Sequence, residues 1–91
     1  MEIRWTTSSA KHGVRREDAV HAMLHPVHHV RPYGDSRVEG LSAPDLFIGP
    51  GQDGVLLEVM AAAESATRTL WVFHVMVARP KTIAEAKEKN R

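Results

Sequence analysis

No cysteine occurs in the chain of 91 residues, so neither a disulfide nor a thiolate metal site can staple the fold. No apolar run approaches the ~20 residues that a membrane helix requires. The longest, Leu70 to Ala78, is interrupted by His74. The opening residues, Met1-Glu2-Ile3-Arg4-Trp5, lack the apolar centre of a secretory signal. The single asparagine, Asn90, begins no glycosylation sequon. These absences lead to the expectation of one small cytoplasmic domain spanning residues 1–91. Its stability must come from packing the 43% of residues that are apolar, or from a partner. A domain this short buries only about 60–65% of the surface of its unfolded chain, which puts its stability at the low end of the usual range of about 5–15 kcal/mol.

There is also no strong excess of one charge. Twelve Lys and Arg stand against eleven Asp and Glu, a formal net charge of +1, which by itself does not suggest a nucleic-acid-binding protein. Arg4, Lys11, Arg15, Arg16, Arg31 and Arg37 load the first 40 residues with basic side chains, but Glu2, Glu17, Asp18, Asp35 and Glu39 share that span. Any basic face must therefore be made by folding.

What is present reads as an α+β domain. Ile3 and Trp5 mark a short extended start. Thr6 or Thr7 can cap a helix running to about His12, with Gly13 where a helix ends in the left-handed conformation. A second helix is predicted over Arg15–Leu24, with Ala19, Val20, Met23 and Leu24 on one face and Glu17 and Asp18 in its first turn, where the helix dipole favours anions. Pro26 ends it. A poorly patterned strand follows within Val27–Tyr33, then a connection over Gly34–Pro44. Leu46-Phe47-Ile48 forms a further strand, and the Gly49–Gly54 run, closing on Asp53-Gly54, signals a hairpin. Val55–Ala63 and Leu70–Ala78 are the next two strands, with Glu64–Arg68 between them. Pro80 stops the last, and Thr82 can cap a short C-terminal helix from Ile83 to about Lys89. The expected architecture is two N-terminal helices packed on a small antiparallel sheet of three to four strands.

The last two strands give one geometric argument. Val55, Leu57, Val59 and Ala61 alternate with Glu58 on the first, and Trp71, Phe73, Val75 and Val77 alternate with His74 on the second. Side chains alternate between faces, so the apolar sets are expected to face the helices and leave Glu58 and His74 together on the other side. One register sets Glu58 directly opposite His74, and a slip of two residues makes them diagonal neighbours. Such a pair suits general acid–base chemistry, and it equally suits an ordinary cross-strand charge pair on a solvated face. Arg79 and Lys81 straddle Pro80 at the strand exit and suit a phosphate. Strict alternation puts Arg79 on the face away from His74 unless the strand bulges or ends there. As a plain alternative, the two are surface charges.

Two further patterns carry less than they suggest. Gly49, Gly51 and Gly54 spell G-x-G-x-x-G, but a strand rather than a helix follows, so a turn is expected and no dinucleotide cofactor. His21, His25, His28 and His29 cluster, and the first two have helical ligand spacing. Pro26 breaks that helix straight after His25, so surface histidines are expected in place of a metal site. No nucleophile-serine motif or P-loop is present.

Three stretches taken together resemble a known family. They are Lys11-His12-Gly13-Val14 before the acidic helix start and Ala19, then Leu46-Phe47-Ile48-Gly49-Pro50 with Gly54-Val55-Leu56-Leu57-Glu58-Val59, and last Val72 through Lys81. Their order and spacing are similar to BrnT-like toxins, relatives of the RelE and ParE toxins, over most of residues 3–82. The resemblance implies a compact α+β toxin that cleaves RNA without a metal and is neutralised by a cognate antitoxin. On that footing His74 or Glu58 would be the base, and Arg79 and Lys81 would clamp the phosphate. Lys11, Arg15 and Arg16 would contact RNA, free or on the ribosome, while His12 could be structural beside Gly13. Two other functions fit the same fold, a non-enzymatic interaction module or degenerate toxin, and a ParE-like gyrase inhibitor.

Overall fold

The computed structural model describes residues 1–36 and 38–89; Arg37 and Asn90, both named above, lie outside the described residues. Five strands form one sheet: β1 (Glu2–Trp5), β2 (His28–Val30), β3 (Asp45–Pro50), β4 (Leu56–Glu64) and β5 (Thr69–Val77). Two helices complete the α+β fold, α1 (Arg16–Leu24) between β1 and β2, and α2 (Pro80–Lys89) after β5. The strand order is β1-β5-β4-β3-β2. β1 runs parallel to β5, with Trp5 beside Val72, and the other pairs are antiparallel. No helix among the described residues is long and apolar enough to cross a membrane.

This corrects the expected architecture in three respects. The sheet is mixed and five-stranded, because the extended start pairs as an edge strand. Only one α-helix precedes the central strands. The first predicted helix is a single 3-10 turn, Thr7–Ala10. There the Thr6 and Ser8 hydroxyls bond each other at 2.8 Å and the Ser9 hydroxyl donates to the Thr6 carbonyl at 2.6 Å. Short hydroxyl side chains offer the backbone local alternatives to helical bonding, and four stand in a row here. Gly13 has φ +70°, the left-handed value expected of it.

The third correction concerns layers, because the two helices cover opposite faces of the sheet. Ala19 and Ala22 of α1 pack with Phe47, Leu57, Val59, Ala61, Val72 and Val75. Ala86 and Ile83 of α2 pack with Val30, Leu46 and Ile48. Close seating of α1 depends on Gly49, since a Cβ there would collide with the Ala22 carbonyl oxygen. The glycines read as a false dinucleotide motif therefore have structural uses. In the β3–β4 turn the Gly51 N–H donates to the Val55 carbonyl at 2.8 Å, and Gly54 sits at φ +87°.

The register of β4 and β5 sets the site. Leu57 pairs with Val77, Glu58 with Met76, Val59 with Val75 and Met60 with His74. This is the two-residue slip of the register that opposed Glu58 to His74. Beyond Met60 the ladder shifts, and Ala61 pairs with Val72. Phe73 is thus an extra residue, a bulge that inverts alternation along the first half of β5. Leu70 and Val72 join Val75 on the α1 face, while Trp71 and Phe73 turn to the face expected to be polar.

Candidate functional site

Glu58 was expected on an outward, solvated surface. It is instead completely buried, because α2 lies over its face of the sheet. A buried carboxylate is tolerable only when its oxygens are satisfied, and four donors meet it. Oε1 accepts from the Arg79 backbone N–H at 3.0 Å and from its Nε at 3.1 Å. Oε2 accepts from Arg79 Nη2 at 2.8 Å and from His74 Nε2 at 2.8 Å. Thr82, expected as a helix cap, lies buried in the first turn of α2 and favours the charged form of Glu58.

The obstacle that alternation raised for Arg79 disappears because β5 ends at Val77. Pro80 opens α2, at the one helical position where its missing N–H is harmless. Arg79, just ahead of it, swings its guanidinium back over β4. Glu58 therefore closes the amino end of α2 from a neighbouring strand, where the helix dipole favours an anion.

Burial pushes the Glu58 carboxyl up, but the Arg79 guanidinium and backbone N–H, His74 and Thr82 together outweigh it and hold it at about 2. At neutral pH Glu58 is an acceptor only. Its oxygens are already met by Arg79 and His74, which it positions. Its charge also settles the histidine tautomer. The His74 nitrogen facing Glu58 must carry hydrogen, so Nδ1 is the nitrogen left to exchange a proton with a ligand.

His74 is about a quarter exposed, and the Arg79 side chain is half exposed. Two of Arg79's five N–H donors serve Glu58, and the others are left for another acceptor. His12 meets the His74 ring edge-on, with centroids 5.9 Å apart. It arrives there because the 3-10 turn runs along β5 beyond the end of β1, where Ser8 donates to the Phe73 carbonyl at 2.8 Å. Sequence reasoning set His12 aside beside its helix-ending glycine; the Lys-His-Gly motif was the signal that could have placed it here.

The remaining expected site residues are dispersed. Lys11 is exposed next to His12, and Lys81 is exposed in the first turn of α2. Arg15 and Arg16 stand at the start of α1, the helix on the other face. There Arg15 pairs with Glu17 at 3.0 Å and Arg16 lies over Trp5 at 5.4 Å. Of the other histidines, His21 and His25 stay together with ring centroids 4.5 Å apart, while His29 lies elsewhere on β2. His21 bonds the Pro50 carbonyl at 2.8 Å, while His29 bonds Asp45 at 3.1 Å and stacks on Phe47. Among the described residues no group of three or more metal-ligating side chains is arranged to hold an ion.

Beside this cluster lies a cleft of about 800 Å³ between the sheet and the Gly34–Pro44 connection. Met60, Ala62, Trp71 and Phe73 line it from the sheet, and Tyr33, Asp35 and Glu39 from the connection. Tyr33 is fixed by donating to Glu85 of α2 at 2.7 Å. That bond, with burial and the Glu85 charge, pushes its hydroxyl up to about 12. Compared with family models, curated proteins and solved structures, the chain matches none.

Proposed function

We propose that this protein is a metal-independent endoribonuclease toxin of a bacterial toxin–antitoxin pair, acting on RNA in the cytoplasm and silenced by a cognate antitoxin. The observation that carries the reading is the buried Glu58 clamp, which holds one imidazole and one guanidinium rigidly at the surface with a second imidazole alongside. Breaking an RNA chain without a metal needs a base at the 2′-hydroxyl, an acid at the 5′-oxygen and a cation for the charge gathering on phosphorus.

His74 Nδ1 takes the 2′-hydroxyl proton as that oxygen attacks the adjacent phosphorus. The bond to the 5′-oxygen breaks, and protonated His12 supplies the proton that oxygen gains. The products are a 2′,3′-cyclic phosphate and a 5′-hydroxyl. Arg79 binds the phosphoryl oxygens, Lys11 and Lys81 contact flanking phosphates, and Glu58 positions both of its partners without touching RNA. Of the two candidate bases, His74 and Glu58, this takes His74, and it adds His12 as the acid.

The test is expression in a bacterial host with mapping of RNA ends. Growth arrest and fragments ending in cyclic phosphate are expected, and His12→Ala should reduce cleavage by about 10²-fold or more with unchanged thermal stability, since His12 is exposed. Normal growth with intact RNA at full expression would sink the proposal. A second reading, a non-enzymatic interaction module, draws on the saturation of Glu58 itself, because a carboxylate with four protein donors is also how a fold locks a helix in place. That reading expects tight partner binding that His12→Ala leaves unchanged.

A further inference from the structure

The cleft and the Glu58 cluster share one face of the sheet. Met60 lines the cleft and pairs with His74; Phe73 and Trp71 lie one and three residues before it, about 3 and 10 Å along a strand. Charge is sorted along this face. At the α2 end stand Arg79, His74 and His12. At the cleft end stand Asp35, Glu39 and Glu64; Arg4 lies over the Trp71 ring at 6.0 Å, its charge paired with Glu2 at 2.6 Å. Carboxylates at that end would repel an RNA backbone, and a wholly cationic ligand would be repelled by Arg79 at the other. A nucleotide satisfies both ends, phosphate at one and a base carrying N–H donors at the other.

Resting on the ribonuclease reading above, we propose that the cleft is a base-recognition site for an unpaired guanine, stacked on Trp71 and Phe73 and read by Glu64. Two observations select these residues. The bulge at Phe73 turns two aromatic rings to this face, and aromatic faces are the usual platform for unstacked bases. Glu64 is held beside the indole, with Oε1 accepting from Trp71 Nε1 at 3.2 Å and from the Thr67 hydroxyl at 2.8 Å. Oε1 already accepts from Trp71 and Thr67, which leaves Oε2 to accept from guanine, the base that offers two adjacent donors, N1–H and N2–H. Adenine and cytosine set an acceptor nitrogen beside their amino group, and uracil flanks its N–H with two carbonyls, so each brings a lone pair against the charge.

The experiment is titration with the four nucleoside 3′-monophosphates, followed by the Trp71 indole N–H resonance, alongside cleavage of a single-stranded RNA containing all four bases. Guanosine 3′-monophosphate should shift Trp71 and bind about tenfold or more tighter than the other three. Glu64→Gln should erase that preference, and fragments should end in guanosine. Equal affinity for all four, an unmoved Trp71, or displacement by free arginine but not by nucleotides would each overturn the inference. The two readings fail separately. Selective guanosine binding with intact RNA leaves the base site standing and removes the ribonuclease. Cleavage indifferent to base keeps the ribonuclease and removes the base site.

Discussion

Glu58 combines two properties that oppose each other. It has no contact with water, yet it carries a full charge because donors surround both of its oxygens. Removing one member of a buried pair typically costs about 3–5 kcal/mol, since the survivor keeps its charge without a partner. The sign of the pH dependence follows. The folded carboxyl lies at about 2 against an ordinary value of 4.5, so its contribution is complete above about 4.5 and drains away as pH falls toward 2. The loss is on the order of 3 kcal/mol, a large share of a small domain's stability. Urea melts from about pH 6 down to about pH 2, a span that brackets both values, should show a falling midpoint. Glu58→Gln should lower stability at neutral pH and flatten the decline, and a wild-type curve that is already flat would refute the clamp as a stabilising device.

Elements are where prediction and structure part company. Patterns confined to one segment were legible. The stop signals bounded α1, although its buried residues are Ala19 and Ala22, and Leu24, expected on the apolar face, is exposed; Asp53-Gly54 marked the hairpin turn. Pro80 was read as the end of a strand and proved also to be the start of α2. Relations between segments were not legible. The parity of Leu57 and Val59 put Glu58 and His74 on a shared face, and the slip of two that was foreseen as an alternative is the one adopted. Nothing local announced that α2 would fold back over that face, because its single large apolar residue, Ile83, gives little hint of a docking partner. The bulge at Phe73 was likewise hidden, since an unpaired residue looks like any other in an apolar run. Gly49 misled by motif and is explained by proximity. With Ala22 backbone directly in the path of a Cβ, Gly49→Ala must push α1 away from β3. The expected loss is about 1–3 kcal/mol, seen as a lower denaturation midpoint with unchanged slope. A neutral result would mean that the helix seats less closely than described.

At the scale of the whole molecule, a net charge of +1 conceals a sorted surface, and the sorting matters more than the sum. If RNA is held at Arg79, Lys11 and Lys81 with the base end uncharged by phosphate contacts, binding should weaken only gently with salt. The logarithm of affinity should fall with a slope of about −2 against the logarithm of salt concentration. Fluorescence anisotropy with a short single strand measures it, and a slope several times steeper would require a basic groove elsewhere. The sheet's two faces are likewise divided, one sealed by α1 and the other shared between α2 and the cleft. That division depends on the surplus residue in β5. By shifting phase midway, a single ribbon supplies Leu70, Val72 and Val75 to one interior while offering Trp71, Phe73 and His74 to the opposite surface. The strand is thus more sensitive to its length than to its composition. Many exchanges of one oily side chain for another leave inside and outside where they were, whereas gaining or losing a single position near Phe73 would trade them for half the strand at once.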